Sequence, residues 1–270
     1  MSTLAFFRRA LPLALAALTA SAAPRSADES SAFGSLEKKD AALIGIFYDF
    51  KRTQKGGRLQ VNYMKTIGDF LNSNWDESAL ARFFRAARPV YATEVFIPNV
   101  SAGAAPKAFG LEGVVEPCEW IVVYKGQVSP PADGTYRFVG IADDVMAVAV
   151  NGKTVLFSHY QGTNYSNWRE PEPDHPNIRT VEGKLRHGDW FDCRKDQIID
   201  LDILIGEWPG TLFGAWVFIE KKGVAYPFKD DPKHGRQYIY PVFQVAAKPI
   251  PAANQPIPYT TDSPPWTCHQ

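Results

Sequence analysis

Residues 118 to 157, CEWIVVYKGQVSPPADGTYRFVGIADDVMAVAVNGKTVLF, constrain the fold more than any other stretch, because turns of different chemistry cut them into successive strand-like runs. Trp120 to Tyr124 is β-branched and aromatic, and Pro130-Pro131-Ala132-Asp133-Gly134 forces a turn. Tyr136 and Phe138 then alternate with Thr135 and Arg137 at the period of a half-buried strand. After the acidic pair Asp143-Asp144, Met146, Val148 and Val150 share one face and Ala147 and Ala149 the other. Asn151-Gly152 supplies the two positive-φ positions of a two-residue hairpin turn, and Thr154 to Phe157 returns. The pattern predicts an antiparallel hairpin with an acidic rim.

Further strands are expected at 41–50, at 91–98, at 198–205 (IIDLDILI) and at 213–219. Two short helices are expected to precede the central strands. Val61, Met64, Ile67 and Leu71 lie near helical spacing, and Asp76 is placed to cap a second helix over 77–87 with Leu80, Phe83 and Phe84 inward. Residues 24–40 have the small, polar composition of a linker, and 227–270 reads as a Pro-rich C-terminal extension in which only Tyr238 to Val245 is fit to add an edge strand. The chain therefore divides into a leader (1–23), the linker, a domain over 41–226, and the extension.

The leader has Arg8 and Arg9 before an apolar run from Ala10 to Ala20, then small residues to Ala23, which reads as a secretory signal peptide. It implies a secreted, periplasmic or cell-surface protein with no transmembrane span, since a spanning helix needs about 20 apolar residues. Lys plus Arg and Asp plus Glu number 29 each, with no run of five like charges, so neither a nucleic-acid stripe nor a polybasic membrane patch is implied. Of the three cysteines, Cys118 and Cys193 are the expected disulfide partners, with two buried unpaired thiols as the alternative and Cys268 left over.

Motifs for catalysis are missing. Gly152-Lys153-Thr154 imitates the end of a phosphate-binding loop but joins two strands where that motif opens a helix. There is no H-E-x-x-H and no G-x-S-x-G, and the five histidines lack metal-ligand spacing. Aromatics of the long segment 159–187, Tyr160, Tyr165 and Trp168, together with Trp208, offer flat faces for sugar stacking, or serve to fasten the loop. Asp143 and Asp144 are the candidate metal ligands. On a regular strand they would point to opposite faces, so a shared cation requires a kink or a rare cis peptide; otherwise the pair is an acidic turn capping backbone amides.

The order of aromatic strand, Pro-rich turn, Gly134-x-Tyr136-x-Phe138, Asp143-Asp144, Asn151-Gly152, Ile-rich strand and Gly214-Ala215-Trp216 resembles the PA-fourteen domain, the protective-antigen-type β-sandwich, over residues 118–222. The resemblance implies a mainly β, antiparallel sandwich in a secreted or surface module. It further implies calcium held by Asp143 and Asp144, as the glycan-binding adhesins of that family hold it through an Asp-Asp pair. In those adhesins an Asn from a later loop contributes, whereas 205–216 here contains no Asn. The expected function is a non-catalytic, adhesin-like module that binds glycans or a cell-surface partner. The alternatives are an envelope assembly protein that binds protein, and a glycoside hydrolase whose two carboxylates share no motif.

Overall fold

The computed structural model describes residues 31–159, 167–171, 179–180, 183–247 and 257–269. Two antiparallel sheets face one another. The first is built on β1 (Leu43–Asp49), β3 (Trp120–Ser129), β7 (Ile199–Glu207), β5 (Val145–Val150) and β6 (Lys153–His159), in that spatial order. The second centres on β4 (Gly134–Asp143) and β8 (Leu212–Lys221), with β2 (Phe96–Ser101) beyond β8. Short runs at Arg186–His187 and Phe191–Cys193 close the free edge of β4. The fold is thus a mainly β antiparallel sandwich with two short helices. Its hydrophobic interior explains why β5, VMAVAV, is buried at every position: it lies between β7 and β6 in one sheet and under the other sheet.

The first helix, α1 (Tyr63–Asn72), starts where Asn62 Oδ1 accepts the Lys65 N–H at 3.0 Å and buries Ile67, Phe70 and Leu71. The second expected helix is corrected to one 3-10 turn, Glu77–Leu80, capped by Asp76. It stops because Phe84 and Arg85 pair with the edge of β1 opposite Asp49 and Tyr48, and sheet hydrogen bonds there replace helical ones. A third helical turn, α2 (Ala104–Ala108), follows β2.

The linker and the C-terminal extension are also corrected where they are described. Phe33 is buried between the sheets, edge-on to Trp120 and stacked on Phe213 with centroids 5.7 Å apart. At the other terminus β9 (Thr267–His269) pairs with β3, and Trp266 packs edge-on against Tyr136 and Phe243 with centroids at 5.2 and 5.7 Å. Residues 240–245 and 257–260 cover the outer face of the second sheet, where Tyr240, Val242 and Ile257 meet Val139, Ile141, Trp216 and Phe218. That face is apolar and needs a cover, so residues 240–245 and 257–260 complete the sandwich.

The expected Cys118–Cys193 disulfide is corrected as well, since all three cysteines are free thiols. Cys118 precedes β3, whereas Cys193 stands opposite Gly134, beyond the far end of that strand. Ten strand residues separate the two ends by about 30 Å, and a disulfide needs its Cα atoms within about 7 Å. Burial pushes all three thiols above their ordinary pKa. Alkylation after unfolding without reductant should therefore modify all three cysteines, read by intact mass; a product carrying a single alkyl group would show a disulfide. Trp266→Ala should cost about 3–5 kcal/mol of stability in chemical denaturation. A loss below about 1 kcal/mol would make the C-terminal segment an ornament on the sandwich and not part of it.

Candidate functional site

At one end of the sandwich the chain changes sheets twice. β4 ends at Asp143 in the second sheet and β5 begins at Val145 in the first, with Asp143-Asp144 as the crossing. Beside it, β7 ends at Glu207 in the first sheet, and Trp208-Pro209-Gly210-Thr211 carries the chain back to β8 in the second. Both crossings contain a cis peptide, Asp143-Asp144 and Trp208-Pro209.

Hydrogen bonds tie the crossings together. The Asp144 N–H donates to Gly206 O at 3.1 Å, and Asp144 Oδ2 accepts the Trp208 N–H at 2.6 Å. Glu207 Oε1 accepts the Gly210 N–H at 2.8 Å, which holds the turn closed. Gly210 has φ of 101°, and a Cβ there would sit 2.8 Å from Pro117 O, so this corner requires glycine. Behind the corner the Tyr63 hydroxyl donates to Trp120 O at 2.9 Å and closes the floor.

The electrostatics are those of crowded, buried acids. Burial is the main cause that pushes Asp144 up to about 7, with the charge of Asp143 and a hydrogen bond between the two carboxyls adding to it, against the opposing bond from Trp208. Burial also pushes Glu207 up to about 8, with the charge of Asp144 as the next cause. Glu207 is 2% exposed, and its Oε2 has no hydrogen-bond partner. Tyr63 is raised well above its ordinary value by burial and by the charges of Asp144 and Glu207. Oxygen is the only donor type these side chains offer, which suits a hard cation and not zinc or copper. Among the described residues, no three His, Cys, Asp or Glu side chains form a ready-made metal cage.

The structure brings Asp143, Asp144 and Trp208 together. Trp208, joined to Asp144 through its own N–H, is 39% exposed at the rim. Trp168 is not part of this end: it is 8% exposed and lies near the Asn151-Gly152 turn, the opposite end of β5. Burial takes away the stacking face expected of it. Tyr160 and Tyr165 lie outside the described residues. Sequence reading missed Glu207 and Tyr63. The signal for Glu207 was its place as the acid ending the apolar run IIDLDILIG just before a Pro-Gly turn.

No family model matches the sequence, and no curated protein does. Solved structures do. The structures this chain resembles include PA14 domains. One is the PA14 sugar-binding domain from an RTX adhesin, at 18% identity and a TM-score of 0.43, over 76% of this chain and 96% of that one. Another is the PA14 domain of the MpAFP antifreeze protein, at 15% identity and 0.43, over 74% and 94%. The epithelial adhesin 6 A domain from Candida glabrata, solved with Galb1-3GlcNAc, follows at 10% identity and 0.37, over 76% and 88%. PA14 is the protective-antigen-type family whose motifs the sequence resembles over 118–222.

An acid whose folded pKa is raised binds its proton more tightly when folded. Its contribution to stability is full below the unfolded value near 4 and is lost as pH rises through the folded value. With chelator present, the melting temperature should therefore fall as pH rises from about 5 to about 8. Glu207→Gln, which keeps an oxygen for the Gly210 N–H, should flatten that fall and melt above wild type at the alkaline end. A wild-type melting temperature that stays level across the window would show that the acids are solvated.

Proposed function

We propose that this chain is an exported, non-catalytic carbohydrate-binding module that holds calcium at Asp143 and Asp144 and presents Trp208 as a sugar-stacking face. The observation that carries the reading is the meeting of the two Asp carboxyls at the sheet crossing, directly beside an exposed Trp whose backbone one of them fixes. Calcium takes six to eight oxygen ligands. Two carboxylates supply only part of such a shell and leave positions for backbone carbonyls, water and vicinal sugar hydroxyls. A cation there also replaces the proton that the crowded acids otherwise retain.

Two acids with raised pKa values are also what a glycoside hydrolase needs. Glu207 argues against that role, because at 2% exposure it has no path to a glycosidic oxygen and its Oε1 is committed to Gly210. The reading includes export through residues 1–23, which lie outside the described residues. No helix of the described residues is long and apolar enough to cross a membrane.

Calcium at about 100 times its dissociation constant should stabilise the fold by about 2.7 kcal/mol, visible as a rise in melting temperature. The double variant Asp143→Asn with Asp144→Asn should lose that rise while keeping the wild-type circular dichroism spectrum, and binding on a glycan array should vanish with it. Unchanged melting of the wild type in millimolar calcium would reduce the pair to a backbone cap.

A further inference from the structure

At the opposite end of β5 lies a second cleft of about 620 Å³, walled by the end of α1, the Asn151-Gly152 turn, the start of β6 and residues 167–169. The six residues of β5 separate Asp144 from Asn151, which puts the cleft about 20 Å from the acidic corner. Its frame is pinned. Trp75 Nε1 donates to Thr154 Oγ1 at 3.0 Å, the Asn167 N–H donates to Asn72 Oδ1 at 3.2 Å, and Asn151 Oδ1 accepts the Asp200 N–H at 2.9 Å. Asn74 and Asn151 are both left-handed, with φ of 58° and 50°.

What the frame leaves open is polar and carries a net positive charge. With its oxygen engaged, Asn151 keeps two Nδ2 hydrogens without a partner among the described residues, and the Asn74 amide likewise has none. Thr154, having accepted from Trp75, keeps its own hydroxyl hydrogen to give. Two cations line the cleft against one carboxylate: Arg169 has no acidic partner among the described residues, and Lys153, 78% exposed, reaches Asp189 only at 3.9 Å. Paired amides and a hydroxyl match the alternating donors and acceptors of sugar hydroxyls, and a guanidinium matches a carboxylate with two parallel hydrogen bonds.

We propose that this cleft is a second saccharide site, independent of calcium, that takes a uronic acid residue of an acidic polysaccharide, with its carboxylate on Arg169 and its hydroxyls on Asn151, Asn74 and Thr154. The site does not depend on the reading of Asp143 and Asp144.

Isothermal titration with an α-1,4-linked trigalacturonate in low salt, with chelator present throughout, tests it. The trisaccharide should bind wild type and the Asp143→Asn, Asp144→Asn variant equally. Its methyl ester, which has the hydroxyls but not the charge, should bind at least about tenfold more weakly, as should trigalacturonate to Arg169→Ala, since a hydrogen bond to a charged group is worth that much. Asn151→Asp keeps an oxygen for the Asp200 N–H and tolerates the left-handed turn but removes the two Nδ2 hydrogens, and should weaken binding without lowering the melting temperature of the protein. The proposal is overturned by absence of trigalacturonate binding, by equal binding of the methyl ester, by citrate binding as tightly as the trisaccharide, or by loss of binding in the Asp variant.

Discussion

The hydrogen bond from the Trp208 N–H to Asp144 is the constraint on which the acidic end depends. Where a chain leaves one sheet for another, its backbone groups lose their ladder partners, and burial makes that loss expensive. Here two crossings lie side by side, and side-chain carboxyls supply the missing acceptors: Asp144 for Trp208, Glu207 for Gly210. The fold therefore needs side-chain oxygen acceptors at this corner before any ligand is considered. Each cap occupies one oxygen of its carboxyl; Asp144 is further hydrogen-bonded to Asp143, whereas at Glu207 the second oxygen is left over. Glu207 Oε2 shows the remainder plainly, buried and without a partner.

Crowding then follows from topology. Asp144 leads into β5, which pairs with β7 ending at Glu207, so burial raises both acids, the charge of Asp144 adds to the rise of Glu207, and the charge of Asp143 adds to both. At neutral pH the corner must hold a proton, accept a cation or bear the repulsion. Trp208 stands at the rim because the turn that its N–H anchors projects it outward; the same bond that satisfies the backbone sets the aromatic face beside the acids.

The central hairpin, the acidic pair and the Ile-rich strand were legible in the sequence because each carries a local period or turn signal. Three features were not. Glu207 acts through Asp144, sixty-three residues earlier, and no local pattern announces a cross-chain contact. The second helix gave way to sheet pairing because the edge of β1 at Tyr48 and Asp49 offered Phe84 and Arg85 partners that a propensity argument does not see. The C-terminal segment was misjudged by its proline content, although β8 held a warning. Phe213, Ala215 and Val217 lie in the interior cluster while Trp216 and Phe218 between them lie in the outer one, so that strand is apolar on both faces and demands a cover on each. Ile257 and Trp266 are the anchors that a Pro-rich composition concealed.

β5 joins the two ends and keeps them apart. Buried on both faces and bonded on both edges, it has no freedom to bend, so the acidic corner and the amide-lined cleft are held at a fixed separation of about 20 Å. Charges that far apart in solvent exceed the screening length of roughly 8 Å at physiological ionic strength, and substitutions at such distances act additively. The acids of the corner and the cations of the cleft therefore act on their surroundings independently.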